Sequence, residues 1–256
     1  MQTAKTVLIT AGASGIGQAM AEAFNAAGYQ IAVTDVNDTA LHKLSKQIPD
    51  AICVNADVCR EADMIRLEIV LRKKWERLDV VMANAGIAGP NAGLAKIELA
   101  DWRHCLAVNL DGAFLTCRIA AQWMSPQKSG VITLTSSTAG LFGYPFRSPY
   151  ASAKWGIIGL MKTLAMELGP CGIRVNAICP GAVAGDRMDR VIANEAHARS
   201  ISEDALRQGY ADCVSMKTFV DASDIADMAL YLASDQARMI SGMAMAVDGH
   251  TEKITL

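Results

Sequence analysis

One junction constrains this chain more than any other. An apolar run at residues 6–10 (TVLIT) breaks into Ala11-Gly12-Ala13-Ser14-Gly15-Ile16-Gly17. Ile16, Met20, Ala23, Phe24 and Ala27 then recur at helical spacing until Gly28 stops the pattern. A buried strand that turns through glycines into an amphipathic helix reads as the first half of a βαβ unit, with its next strand parallel. The glycines, spaced G-x-x-G-x-G, let main-chain N–H groups approach an anion such as a pyrophosphate at the positive end of the helix. A glycine turn alone is a weak signal, and the strand before it and helix after it give it weight.

The rest of the chain repeats that rhythm. Apolar runs at 30–34, 51–54, 78–83, 131–135, 174–178 and 244–247 are continuous rather than alternating, as strands covered on both faces must be. Helical patterns lie between them, notably at 102–124, at 150–168 before Gly169-Pro170, and near 222–234. The reading is α/β: a doubly wound, parallel, seven-stranded sheet in a single domain spanning 1–256. Residues 182–217 break the pattern, being more charged and without a clear strand. They read as a lid over a ligand crevice, or else as a solvated pair of surface helices.

Composition excludes several classes. At 52% hydrophobic and 20% charged the chain is no disordered segment, and 24 basic against 26 acidic residues leave no footprint for nucleic acid. The seven cysteines are odd in number and form no CxxC pair, which reads as thiols in a reducing compartment rather than disulfides or a metal site. The first residues run straight into a strand without room for a signal peptide, and no uncharged run reaches membrane-spanning length, so a cytoplasmic protein is expected.

Two residue groups carry chemistry. Asp35 ends the second run, 18 residues after Gly17, where a carboxylate can accept bonds from ribose hydroxyls and repel a 2′-phosphate. Ala13, Ser14 and Val36 offer no cation against that repulsion, so NAD is expected over NADP. Tyr150 and Lys154, four apart, share a helix face, and Ser137 follows the fifth strand. An ammonium about 5 Å from a phenol favours its phenolate by roughly 3 kcal/mol at an effective dielectric near 20, which makes a tyrosine useful for proton transfer at neutral pH.

With Asp57-Val58, Asn84-Ala85-Gly86, Asn109, Tyr150-Ala-Ser-Ala-Lys154 and Pro180-Gly181 following TAGASGIG in order, the chain resembles the short-chain dehydrogenases/reductases over nearly its full length. The resemblance implies a Rossmann-like fold, a nicotinamide cofactor and Tyr150 as acid/base. It makes Lys154 the residue that lowers the phenol's pKa and holds the nicotinamide ribose, Ser137 the donor to the substrate oxygen, and Asn109 the anchor of a water in a proton relay. It puts Asp57 and Val58 at the adenine, Asn84, Ala85 and Gly86 beside the adenosine ribose, and Pro180, Gly181 and Val183 by the nicotinamide. It also implies a homotetramer.

Three positions depart from the family pattern: Ala11 for a glycine, Gly185 for a threonine, and His250 for a glycine. If position 11 has positive φ, alanine costs about 1 kcal/mol or more there. Ala139, Leu141, Tyr144, Phe146 and Arg147 are candidate pocket walls, with Asp186, Arg187, Met188 and Arg190 from the lid. Arg147 and Arg187 suggest a polar substrate bearing a carboxylate or several hydroxyls, unless both face solvent. The expected activity is NAD-dependent interconversion of a secondary alcohol and its ketone. An NADPH-dependent carbonyl reductase and a non-catalytic nucleotide-sensing scaffold are the alternatives.

Overall fold

The computed structural model describes residues 4–254. Strands β1 (Thr6–Thr10), β2 (Gln30–Asp35), β3 (Ile52–Asn55), β4 (Val80–Ala83), β5 (Gly130–Thr135), β6 (Ile173–Pro180) and β7 (Ala244–Val247) form one sheet. Their order is β3-β2-β1-β4-β5-β6-β7, and every pairing is parallel. This is the doubly wound, Rossmann-like sheet expected.

Alternate residues of each strand point to opposite faces, so the core has two layers. Leu8, Val81, Ile132 and Val175 pack under α3 (Glu61–Arg72), α5 (Gly112–Gln127) and α6 (Ser148–Leu168), where Leu67, Leu71, Trp123 and Met161 meet them. Val7, Ile9, Val80 and Met82 pack under α1 (Gly15–Ala26), α2 (Asp38–Gln47) and α9 (Ala222–Ala233), through Met20, Phe24, Leu44 and Ile225. With both faces covered, the strands are largely apolar, although Thr133 and Thr135 on β5 and Arg174 and Asn176 on β6 recur at alternate positions.

The helix expected at 102–124 differs from that reading. It starts earlier, as α4 (Leu99–Leu106), passes through a π-helical turn at Ala107–Asp111, and continues as α5. Within that turn the Asn109 side chain donates to Cys105 O (2.9 Å) and Ile87 O (3.0 Å), and Gly112 N–H reaches five residues back to Ala107 O. A side chain taking a carbonyl of the preceding turn competes with the regular ladder and accounts for the local widening.

Residues 182–217 contain α7 (Asp186–Arg199) and α8 (Glu203–Asp212), joined by a small apolar seam of Ile192, Ala196 and Leu206. A parallel bridge between Val183 and Val220 clips the excursion at its base, with Ala184 N–H donating to Val220 O and Val220 N–H to Ala182 O, both at 2.9 Å.

Candidate active site

The sheet changes direction of winding between β1 and β4, and in such sheets a crevice opens at the carboxyl ends of the strands at that point. A cavity of about 770 Å³ lies along these ends, reaching from the glycine turn before α1 to α7. Ser14, Gly15, Ile16 and Gly17 line it on one side, and Asn84 and Gly86 follow β4. Ser137, Tyr144, Arg147, Tyr150 and Lys154 form a second wall, and Pro180, Gly181, Val183, Asp186, Arg187, Met188 and Arg190 a third. Sequence residues far apart are thus gathered in one place.

The glycine turn is tightly made. Ala11 has φ +48° and Gly15 φ +52°, so the alanine does occupy the left-handed region, at a cost of about 1 kcal/mol. A Cβ at Gly17 would lie 2.1 Å from Ala11 O, which leaves glycine as the residue that fits. The first N–H groups of a helix have no partner within it, and those of α1 open at this cavity wall. Gly12 does not line the cavity: it presses on Val33, whose Cγ1 would stand 2.8 Å from an added Cβ.

Asp35 braces the turn from β2. Its Oδ2 accepts from Ala13 N–H (3.2 Å) and its Oδ1 from Asn37 N–H (3.1 Å), leaving further lone pairs on both oxygens. Asp35, Val36, Asp57, Val58 and Ala85 stand outside the cavity lining, whereas Asn37 belongs to it. Asp57 accepts from Cys59 N–H (3.0 Å), Val36 is exposed, and Val58 and Ala85 are buried. Asn84 bridges the switch point: its Nδ2 donates to Thr10 O (3.1 Å) and Ala11 O (3.3 Å), and its Oδ1 accepts from Thr135 Oγ1 (3.1 Å).

That bridge leads to the reactive pair. Lys154 is buried, and its Nζ donates to Thr135 O (2.9 Å) while standing 5.5 Å from the Tyr150 ring centroid. Burial pushes the Tyr150 phenol up, but Lys154, Arg187, a hydrogen bond with Ser137, and Arg147 together bring its pKa below the ordinary tyrosine value. Burial, set against the raising pull of Tyr150, leaves the Lys154 ammonium below its own ordinary range. Ser137 sits at the N-cap of a short 3₁₀ turn and accepts from Ala139 N–H (3.1 Å). Asn109 Oδ1 is buried without a partner, and an added Cβ on Gly86 would lie 2.7 Å from it and 3.3 Å from Lys154 Nζ. The amide oxygen and the ammonium therefore face one small space.

The expected pocket walls divide. Tyr144, Arg147 and Arg187 line the cavity. Ala139 does not: it is fully buried in the 3₁₀ turn, and Ser137 and Thr138 take its place. Leu141 packs on the core and Phe146 is exposed. His250 is a surface residue at φ +69°, its Nδ1 2.7 Å from Ser215 Oγ.

Sequence reasoning missed Tyr210. Its hydroxyl accepts from Tyr144 (3.3 Å) and donates to Glu195 Oε2 (2.7 Å), so a hydrogen-bonded chain ties the cavity wall to α7 and α8. A tyrosine on an amphipathic helix carries no sequence signal for such a contact.

Three of the cysteines are held as thiols away from the cavity lining. Burial pushes the Cys59 and Cys117 thiols up to about 12 and the Cys179 thiol to about 11. Among the described residues no helix is long and apolar enough to cross a membrane.

Comparison with known proteins agrees with this geometry. A family model described as "Enoyl-(Acyl carrier protein) reductase" matches residues 10–250. Tropinone reductase-like 1 of Erythroxylum coca is 39% identical over 255 residues, covering 96% of this chain and 89% of its own. The crystal structure of NAD+-bound xylitol dehydrogenase superposes with a TM-score of 0.91 at 28% identity, covering 95% of this chain and 97% of that one. That of levodione reductase gives 0.90 at 29% identity and covers 96% of each chain.

Proposed function

The chain belongs to the short-chain dehydrogenases/reductases, and from that membership we propose that it is an NAD-dependent oxidoreductase interconverting a polar secondary alcohol and its ketone. The observation that carries this reading is the pairing of Tyr150 with a buried Lys154 on the wall of one cavity shared with the glycine turn.

The residues present fit a dinucleotide. Gly17 has no room for a side chain, Gly15 has nothing within 4 Å of an added Cβ, and the amide groups of α1 offer an anion site at the cavity wall. Ser14, Gly15, Ile16 and Gly17 would hold the pyrophosphate, Asp35 the adenosine ribose, and Lys154 the nicotinamide ribose. Gly12 and Val36 shape the turn and its exit. Asp57 and Val58 would border the adenine, Ala85 with Asn84 and Gly86 the floor, and Pro180, Gly181 and Val183 the nicotinamide. When bound, the nicotinamide supplies the hydride acceptor or donor.

The chain's own residues move the proton. In the oxidative direction the Tyr150 phenolate takes the carbinol proton, helped by the Lys154 charge that favours the anionic form. The Ser137 hydroxyl donates to the reacting oxygen and fixes its position. Asn109 Oδ1, facing Lys154, anchors the water of a proton relay. Residues 182–217 serve as the lid. A homotetramer accords with exposed Phe114, Trp155, Met166 and Met239, and a cytoplasmic setting with the thiols.

The test pairs binding with turnover. NADH should bind more tightly than NADPH, and Tyr150→Phe should lower kcat by about 10³-fold while keeping NADH affinity. A preference for NADPH would replace this reading with a carbonyl reductase. Undiminished function of Tyr150→Phe would leave a nucleotide-sensing scaffold.

A further inference from the structure

Arg147 is a cation without a carboxylate partner. It is 7% exposed, its Nε is buried with no hydrogen-bond partner, and among the described residues no carboxylate lies within ion-pair distance of it. The acids nearby in the fold are engaged: Glu195 with Arg199 (3.1 Å) and Tyr210, and Asp189 with Arg207. Around the cavity, Asp186 stands as the one acidic group among the described lining residues, against Arg147, Lys154, Arg187, Arg190 and Lys253.

What Arg147 does touch is aromatic. Its guanidinium carbon lies 5.3 Å from the Tyr150 ring centroid and 5.9 Å from that of Tyr144. Cation–π contact compensates a buried charge only in part, because desolvating an ion costs more than a ring face returns. A ligand anion beside Arg147 would supply the compensation that the ring faces do not.

Resting on the oxidoreductase reading, we infer that Arg147 receives a carboxylate on the substrate, so that the alcohol oxidised is a short hydroxy acid. Arg147 caps α6 and Tyr150 follows three residues later, so the anion-binding group and the acid/base stand on the same turn. That closeness suits a carboxylate one or two carbons from the carbinol. The planar fork of the guanidinium matches a carboxylate in two parallel bonds, whereas the hydroxyls of a polyol bring no charge to cancel the buried cation.

The experiment compares 2-hydroxybutyrate and 3-hydroxybutyrate with their methyl esters. For at least one acid, kcat/KM should exceed that of its ester by about 100-fold, and Arg147→Gln should abolish the preference. The second readout is thermal: butanoate should raise the melting temperature of the native NADH complex more than propanesulfonate does, and should not raise that of Arg147→Gln. Without ligand, Arg147→Gln should melt above the native protein because an uncompensated buried charge is gone. Equal or better turnover of both esters would overturn the inference and leave the oxidoreductase reading intact. So would an unchanged ratio in Arg147→Gln, a stronger response to the sulfonate, or a loss of NADH affinity matching the loss of acid binding. Arg147-dependent binding of butanoate with no turnover of any alcohol would instead remove the oxidoreductase reading and, with it, the hydroxy-acid substrate, leaving Arg147 as a carboxylate-binding residue only.

Discussion

At the scale of single residues the decisive quantity is the charge on one phenol. Oxidation needs Tyr150 deprotonated, so kcat/KM for oxidation should rise with pH through its pKa, while reduction, which needs the proton, should fall through it. Burial opposes ionisation, and Lys154 followed by Arg187 overcomes it, so the inflection should lie below the ordinary phenol value of about 10. Arg187→Gln should move that inflection to higher pH, and a pH–rate profile for the variant checks this. A second residue, Ala11, bears on stability instead. Its φ of +48° costs about 1–2 kcal/mol in an alanine, and glycine there forfeits about 0.4–1 kcal/mol through a freer unfolded chain. The first effect is larger, so Ala11→Gly should stabilise the protein by about 0.5 kcal/mol in urea unfolding. The family resemblance already marked this alanine as a departure, since the family pattern has glycine there, and left open whether the position takes positive φ. The sequence could not show that Arg147 is buried, since burial of a long polar side chain depends on what the fold stacks around it.

Among the elements, those whose form is set locally were the legible ones. β1 and β7 agree to the residue with their apolar runs, and the other strands to within a few residues; burial along nearly the whole strand accounts for the runs of β1, β4, β5 and β6, whereas β7 is only half-buried. The π-helical turn at Ala107–Asp111 left no such trace. It depends on the Asn109 side chain meeting Ile87 O, a partner 22 residues away that the sheet brings near. The same holds for α7 and α8. The sequence offered a pair of surface helices there as one of two readings, but the Tyr144–Tyr210–Glu195 chain that fastens them to the cavity wall is a product of the tertiary fold. Tyr210→Phe removes that fastening without removing the ring, and leaves Glu195, buried at 5% exposure, to Arg199 alone. The variant should lose about 1–2 kcal/mol of local stability. Hydrogen exchange should therefore quicken in α7 and α8 with no change in β1, β4 or β5, and KM for the alcohol should rise.

For the whole molecule, the two apolar layers hold the sheet while the crevice between its halves is crossed by few side chains, Asn84 chief among them. A ligand spanning the crevice adds contacts where the protein itself makes few, and binds the folded state alone, so it stabilises the whole chain by mass action. At 100 times its Kd, NADH should contribute about 2.7 kcal/mol. For a protein of this size each kcal/mol moves Tm by about 2–4 °C, so the expected rise is about 5–10 °C. If Asp35 holds the adenosine ribose as proposed, NADPH would bring its 2′-phosphate against a carboxylate already fixed by Ala13 and Asn37 N–H. With an affinity 100-fold lower, NADPH at the same concentration should raise Tm by about 1 °C. Asp35→Asn keeps the shape of the side chain and removes its charge, so it should narrow the gap between the two dinucleotides in the same melting experiment. An equal rise with both in the native protein would mean that Asp35 does not discriminate between them.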